Sequence, residues 1–224
     1  MLTHLDRFGH ATVTQVARSR RLGDASAWDA LARLRRQGLV QGHRQGPKQP
    51  LAWSATRAGL AITGSRRLPV PPEPAHRRHT LALGDLAAEL TRSTGGTWET
   101  EREVRAELLR EVPRERLAPP DGRLTLPDGL RACIQLQLSM GKPNRQFLDA
   151  WSLRARRHCR EVWFLCAADV APAYRRAIKP GETGFIHVME WTAPDHSAGL
   201  RETQLRDRPR LPPARKPDGD HPHQ

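Results

Sequence analysis

Ser26, Asp29, Arg33 and Arg36 recur at intervals of three, four and three residues. On an α-helix such spacing brings all four side chains to one side. A hydroxyl, a carboxylate and two guanidinium groups in a row can exchange hydrogen bonds with base-pair edges, with Ser26, Asp29 and Arg33 nearest the bases and Arg36 nearer a phosphate. Arg44 and Lys48 follow a few residues later, placed to meet a flanking backbone or minor groove. These six residues predict contact with double-stranded DNA. The plainer alternative is that Arg33, Arg35 and Arg36 form an ordinary solvated helix face.

The elements that must position them are legible. Asp24 to Gln37 reads as a helix, with Asp24 expected to cap its N-terminus and Gly38 to take the left-handed conformation past its end. Trp28, Leu31 and Leu34 are expected to supply the packing face. A shorter helix is expected from Thr12 to Ala17. A hairpin from Leu39 to Ser54 is interrupted by Gln45-Gly46-Pro47-Lys48-Gln49-Pro50. Helix, turn, helix and hairpin in that order spell a winged helix-turn-helix over residues 1–64.

Charge is distributed accordingly. Met1 to Arg67 holds 12 Lys or Arg against 3 Asp or Glu, so less than a third of the chain holds 9 of the 13 net positive charges. Such an excess favours a polyanionic partner and predicts binding that weakens steeply with salt.

At 224 residues, 38% of them hydrophobic, the chain can bury a core in each of two modest domains. Cys133, Cys159 and Cys166 form no C-x-x-C pair and lie among apolar neighbours, so three buried thiols are expected. No run of about 18 apolar residues and no N-terminal h-region is present, which predicts neither a membrane span nor a secretory signal. Together these features point to a reducing, cytoplasmic setting associated with nucleoid or plasmid, and to no cofactor. The chain contains no G-x-S-x-G elbow, Walker loop or H-E-x-x-H motif. Adjacency of His158 and Cys159 does not make a nucleophile pair.

Ser65 to Pro74, with Pro69, Pro71, Pro72 and Pro74, is expected to end the preceding helix and serve as a linker over residues 65–75. A second domain is expected over residues 76–202, followed by a disordered tail at residues 203–224 rich in Arg, Pro and Asp. In that domain His76 to Ser93 reads as a helix. Trp98 to Val104 reads as an extended segment, and Pro120 to Leu126 and Leu130 to Leu138 as two strands joined through the turn Pro127-Asp128-Gly129. Ile134, Leu136 and Leu138 alternate with Gln135 and Gln137, which places both glutamines on one face. Further helices are expected at Asn144–Arg157 and Pro172–Ile178, with strands at Val162–Ala167 and Gly184–Glu190. The expected class is α+β or α/β with a central mixed sheet.

From Leu2 to Trp191 the chain resembles the replication-relaxation family of actinobacterial plasmids and mobile elements. The resemblance is carried by Leu51-Ala52-Trp53-Ser54, His79-Thr80-Leu81, Trp98 with Glu101-Arg102-Glu103, Pro120-Asp121-Gly122, Ile134-Gln135-Leu136-Gln137-Leu138 with Lys142, and Val162-Trp163-Phe164-Leu165. It implies a restriction-endonuclease-like second domain and a DNA-associated role in replication, transfer or regulation.

Such a domain cleaves DNA when an Asp and a second carboxylate hold Mg²⁺ beside a Lys. Asp121 and Lys142 match two of these roles, but Gln135 and Gln137 stand where Glu-x-Glu is implied. A neutral amide carbonyl is a poor substitute for a charged ligand of Mg²⁺. Glu101 or Glu103 is the remaining source of a carboxylate. The resemblance therefore implies a degenerate, non-catalytic domain used for homodimerisation or for contact with replication or conjugation proteins. A metal-dependent endonuclease and a protein-interaction adaptor are the alternatives.

Overall fold

A computed structural model describes residues 1–44, 51–70, 74–111, 119–139, 159–182 and 184–194. Lys48 and the rest of the hairpin tip, Lys142, the expected helix at Asn144–Arg157 and the tail fall outside the described residues.

The chain begins with α1 (Leu2–Phe8), which the sequence pattern did not announce, followed by α2 (Val13–Arg20) and α3 (Asp24–Arg36). Thr12 and Gln15 close a reciprocal capping box on α2: the Thr12 hydroxyl accepts from the Gln15 N–H, and the Gln15 side chain accepts from the Thr12 N–H at 2.9 Å. α3 departs from expectation at its start. Gly23 occupies the cap position, while the Asp24 carboxylate accepts from the Thr14 hydroxyl at 3.0 Å, joining α3 to α2. At the other end Gly38 has φ 71°, and the N–H groups of Gly38 and Leu39 bond back to the carbonyls of Arg35 and Leu34.

β1 (Val40–His43) and β2 (Ala52–Ala55) pair antiparallel, and Ala11 adds a bridge to Trp53. α4 (Arg57–Ile62) follows, capped by Thr56. Leu5, Ala11, Val16, Ala27, Leu31, Val40, Trp53 and Leu60 form the core of this N-terminal part. Trp28 is not in it. The residue is 46% exposed and meets Trp53 edge-on, because Ala27, one position earlier, points inward with Leu31.

The rest is built on a five-stranded mixed sheet in the order β3-β4-β5-β6-β7: β3 (Thr97–Thr100), β4 (Gly122–Thr125), β5 (Arg131–Gln137), β6 (Glu161–Cys166) and β7 (Ile186–Glu190). β3 to β5 run as an antiparallel meander, and β6 and β7 lie parallel to β5. α5 (Pro74–Thr94) covers one face through Leu83, Leu86 and Leu90 against Leu124, Ile134, Leu136 and Trp163. α7 (Ala171–Ala177) packs on the other, where Phe164, Cys166 and Tyr174 meet. The class is therefore mixed α+β, with this sheet beside the small antiparallel one.

Two further expectations are corrected. The extended segment from Trp98 stops at Thr100, and Glu101 opens α6 (Glu101–Glu111), because the Thr100 N–H and hydroxyl both donate to the Glu103 carboxylate. Of the three expected thiols only Cys166 is free. Cys133 on β5 and Cys159 before β6 form a disulfide, their Cα atoms 5.8 Å apart, because the parallel pairing of β5 with β6 sets these segments side by side. The expectation of a reducing setting loses its support from unpaired cysteines. Burial pushes the Cys166 thiol up to about 12.

The described part of the Pro-rich segment runs along α1 and α6. Ser65 donates to Asp6, Arg67 pairs with Asp6 at 3.5 Å, and Arg102 donates to the carbonyls of both Asp6 and Leu68.

Candidate functional site

α3 packs on α2 and on β1, with Ala27 and Leu31 as its inward residues. At about 100° per residue, Ser26, Asp29, Arg33 and Arg36 all point within about 40° of the direction opposite Leu31. All four are exposed, as is Arg44 at the end of β1. Among the described residues none of Arg33, Arg36 and Arg44 forms an ion pair, so their charge is directed at solvent. Packing uses one stripe of the helix and leaves the opposite one exposed.

Of the second set of predicted residues, Lys142 lies outside the described residues, and Asp121, Gln135 and Gln137 lie on or beside the β4–β5 ladder. Gly122 pairs with Ile134, so Asp121 continues the ladder opposite Gln135. Its carboxylate accepts the Leu136 N–H at 2.7 Å and lies 3.0 Å from Nε2 of His79 on α5. Burial acts to lower the His79 pKa, but the hydrogen bond and charge of Asp121, with Glu101 nearby, outweigh it and raise the value. His79 is the functional-type residue that sequence reasoning missed. A polar residue on the inner stripe of an apolar helix was the available signal.

These residues do not fit Mg²⁺. Both Asp121 oxygens are engaged, one by a backbone N–H and one by an imidazole. Glu101 pairs with Arg105 at 2.6 Å and Glu103 with Arg7 at 2.8 Å. Burial would raise the Glu103 pKa, but the bonds from Arg7 and Thr100 hold it below the usual carboxylate range. Gln135 and Gln137 share the face of Cys133, and the Gln135 Oε1 is buried without a hydrogen-bond partner. Among the described residues no three His, Cys, Asp or Glu side chains come together as a metal site. No helix among them is long and apolar enough to cross a membrane.

Compared with protein-family models, curated proteins and solved structures, the chain has no match.

Proposed function

We propose that this is a sequence-specific double-stranded DNA-binding protein of the replication-relaxation kind. In this reading residues 1–64 are a winged helix, and the five-stranded domain is a restriction-endonuclease-like core that no longer cleaves. Its biological task is control of transcription, replication or transfer of a plasmid or mobile element. The observation that carries the reading is the exposed stripe of Ser26, Asp29, Arg33 and Arg36, opposite the buried Leu31 and free of ion pairs among the described residues. A helix so presented fits a major groove about 12 Å wide.

The test starts from a site selected from random duplexes. Arg33→Ala is expected to weaken binding to that site by about 1–3 kcal/mol while binding to unrelated duplex changes little. An equal loss on both would make Arg33 a phosphate contact, and no selected site at all would refute the reading.

An endonuclease is the weaker reading, since Mg²⁺ would have to displace His79 from Asp121 and bind amides in place of carboxylates. Supercoiled plasmid incubated with Mg²⁺ or Mn²⁺ should remain uncut. Cleavage that Asp121→Ala abolishes would reverse this preference.

A further inference from the structure

One flank of α3 faces a cleft. Arg33, Leu34 and Gln37 lie three, four and seven residues after Ala30, so the four share one side of the helix. That side forms a wall of an open cleft of about 530 Å³, a size within the roughly 300–1,000 Å³ of small-molecule sites. Leu2 and Thr3 of α1, Arg20 at the end of α2 and Ile62 at the end of α4 also line it.

The lining is of two kinds. Leu2, Leu34 and Ile62 are apolar, and Ile62 is 63% exposed, so an occupant would withdraw hydrocarbon surface from water. Arg20 and Arg33 are cationic and exposed. Among the described residues neither forms an ion pair, and no Asp or Glu lines the cleft. A fitting occupant must answer both kinds of lining. A neutral apolar molecule would give the guanidinium groups no acceptor, and an inorganic anion or a DNA phosphate would leave the hydrocarbon wall wet. A carboxylate on an apolar body answers both, since a guanidinium binds a carboxylate through two parallel N–H···O bonds.

We propose that the cleft between α1, α3 and α4 binds a small organic carboxylate with an apolar body, its charge held by Arg20 and Arg33 and its hydrocarbon part laid on Leu2, Leu34 and Ile62. Arg33 also belongs to the exposed stripe of Ser26, Asp29 and Arg36, so a carboxylate that holds its guanidinium withdraws it from a base edge. The ligand is then an antagonist of DNA binding, and by linkage a bound duplex lowers the affinity for the ligand by the same factor. The site stands independently of the function proposed above. Only the antagonism rests on it.

Titration calorimetry of the full chain tests the site with phenylacetate as the probe. One saturable site is expected. Phenylacetamide, which lacks the charge, and acetate, which lacks the apolar body, should each bind at least about tenfold more weakly. Arg20→Gln should weaken phenylacetate by about tenfold and Ile62→Ser by about threefold, each with an unchanged circular dichroism spectrum. A parallel arm measures the selected duplex. Saturating phenylacetate should lower the duplex affinity of the native chain by about tenfold, and Arg20→Gln should resist that loss at the same concentration. If the native chain binds phenylacetate but selects no duplex, the site stands and the DNA-binding reading falls. Duplex affinity unmoved by bound phenylacetate would overturn the antagonism. Failure of phenylacetate to saturate, or binding no tighter than that of acetate and phenylacetamide, overturns the site. Arg20→Gln that weakens the duplex while leaving phenylacetate binding intact would make Arg20 a backbone-phosphate contact and overturn the site as well.

Discussion

His10 is held in its neutral form: burial, followed by the charges of Arg77 and His43, pushes its pKa down to about 4. An unfolded histidine titrates near 6.5, so between those two values the unfolded chain binds a proton that the folded chain refuses. Stability must therefore rise with pH across that window and fall as acid is added, by on the order of 2–3 kcal/mol for a shift of this size. His79 works in the opposite sense. Its raised value means that its contribution is complete below pH 6.5 and fades as pH rises through the folded-state pKa. Melting temperature followed from pH 4 to 7 in chloride buffer should climb; because buried His4 is likewise pushed down to about 4, His10→Gln should reduce the climb without abolishing it. A flat native profile would mean that neither His4 nor His10 is held neutral in the folded protein.

Arg123 shows how one side chain joins three elements. It is 2% exposed on β4, yet it donates to both oxygens of Glu99 on β3 at 2.7 Å and to Glu107 on α6. The bonds from Glu99 and then Glu107 hold its proton more firmly than in an ordinary arginine, and Arg123 in turn holds Glu107 below the usual carboxylate range. Arg123→Ala should destabilise the fold by about 2–3 kcal/mol, less than a fully buried pair would lose because both carboxylates are partly solvated. Adding Glu99→Gln to Arg123→Ala should recover part of that loss in a denaturant titration, because it removes the repulsion left behind. A double variant weaker than the single would contradict this account.

Neither partner of Arg123 was legible from spacing, since the register of β3 on β4 is a tertiary fact. What could be read locally was read: α3 and its Gly38 terminus, the alternation in β5 and the apolar run of β6 all stand close to where pattern placed them. The misses have local causes too. α1 is seven residues with no strong stripe and one fully buried side chain, Leu5. α6 hid behind Trp98-Glu99-Thr100, although Thr100-x-x-Glu103 is a helix-start signal in its own right. Trp28 was placed on the packing face by its three-residue spacing to Leu31 and Leu34, when Ala27, four residues before Leu31, had the inward direction. The exposed positions of Ser26, Asp29, Arg33 and Arg36 followed from helical period alone, whereas the ties of Asp121 to His79 and Leu136 required the folded sheet.

At the scale of the whole molecule, the N-terminal helices and the five-stranded domain are joined by buried polar contacts. Gln15, already part of the α2 capping box, donates to the Leu81 carbonyl at 2.7 Å and to Asp85 at 2.9 Å, and Arg18 reaches the same carboxylate at 3.1 Å. A Cβ on Gly84 would approach the Gln15 amide to 3.2 Å, so this contact depends on a close approach of α2 to α5. On the far side Arg7 grips both Glu103 and the Trp98 carbonyl. Asp85 is 3% exposed, and polar groups this deeply buried are stable only while their partners stay in place. Opening the junction would strand a carboxylate and an amide together, which couples the unfolding of one part to that of the other. Heat denaturation followed by tryptophan fluorescence and by far-ultraviolet circular dichroism should therefore give one coincident transition. Asp85→Ala should lower its midpoint, with a loss of about 2 kcal/mol, while keeping it single, because Arg7 and Arg102 still hold the other edge. Two separated transitions in the native protein would show that each part is stable alone and that α3 is carried on a mobile module.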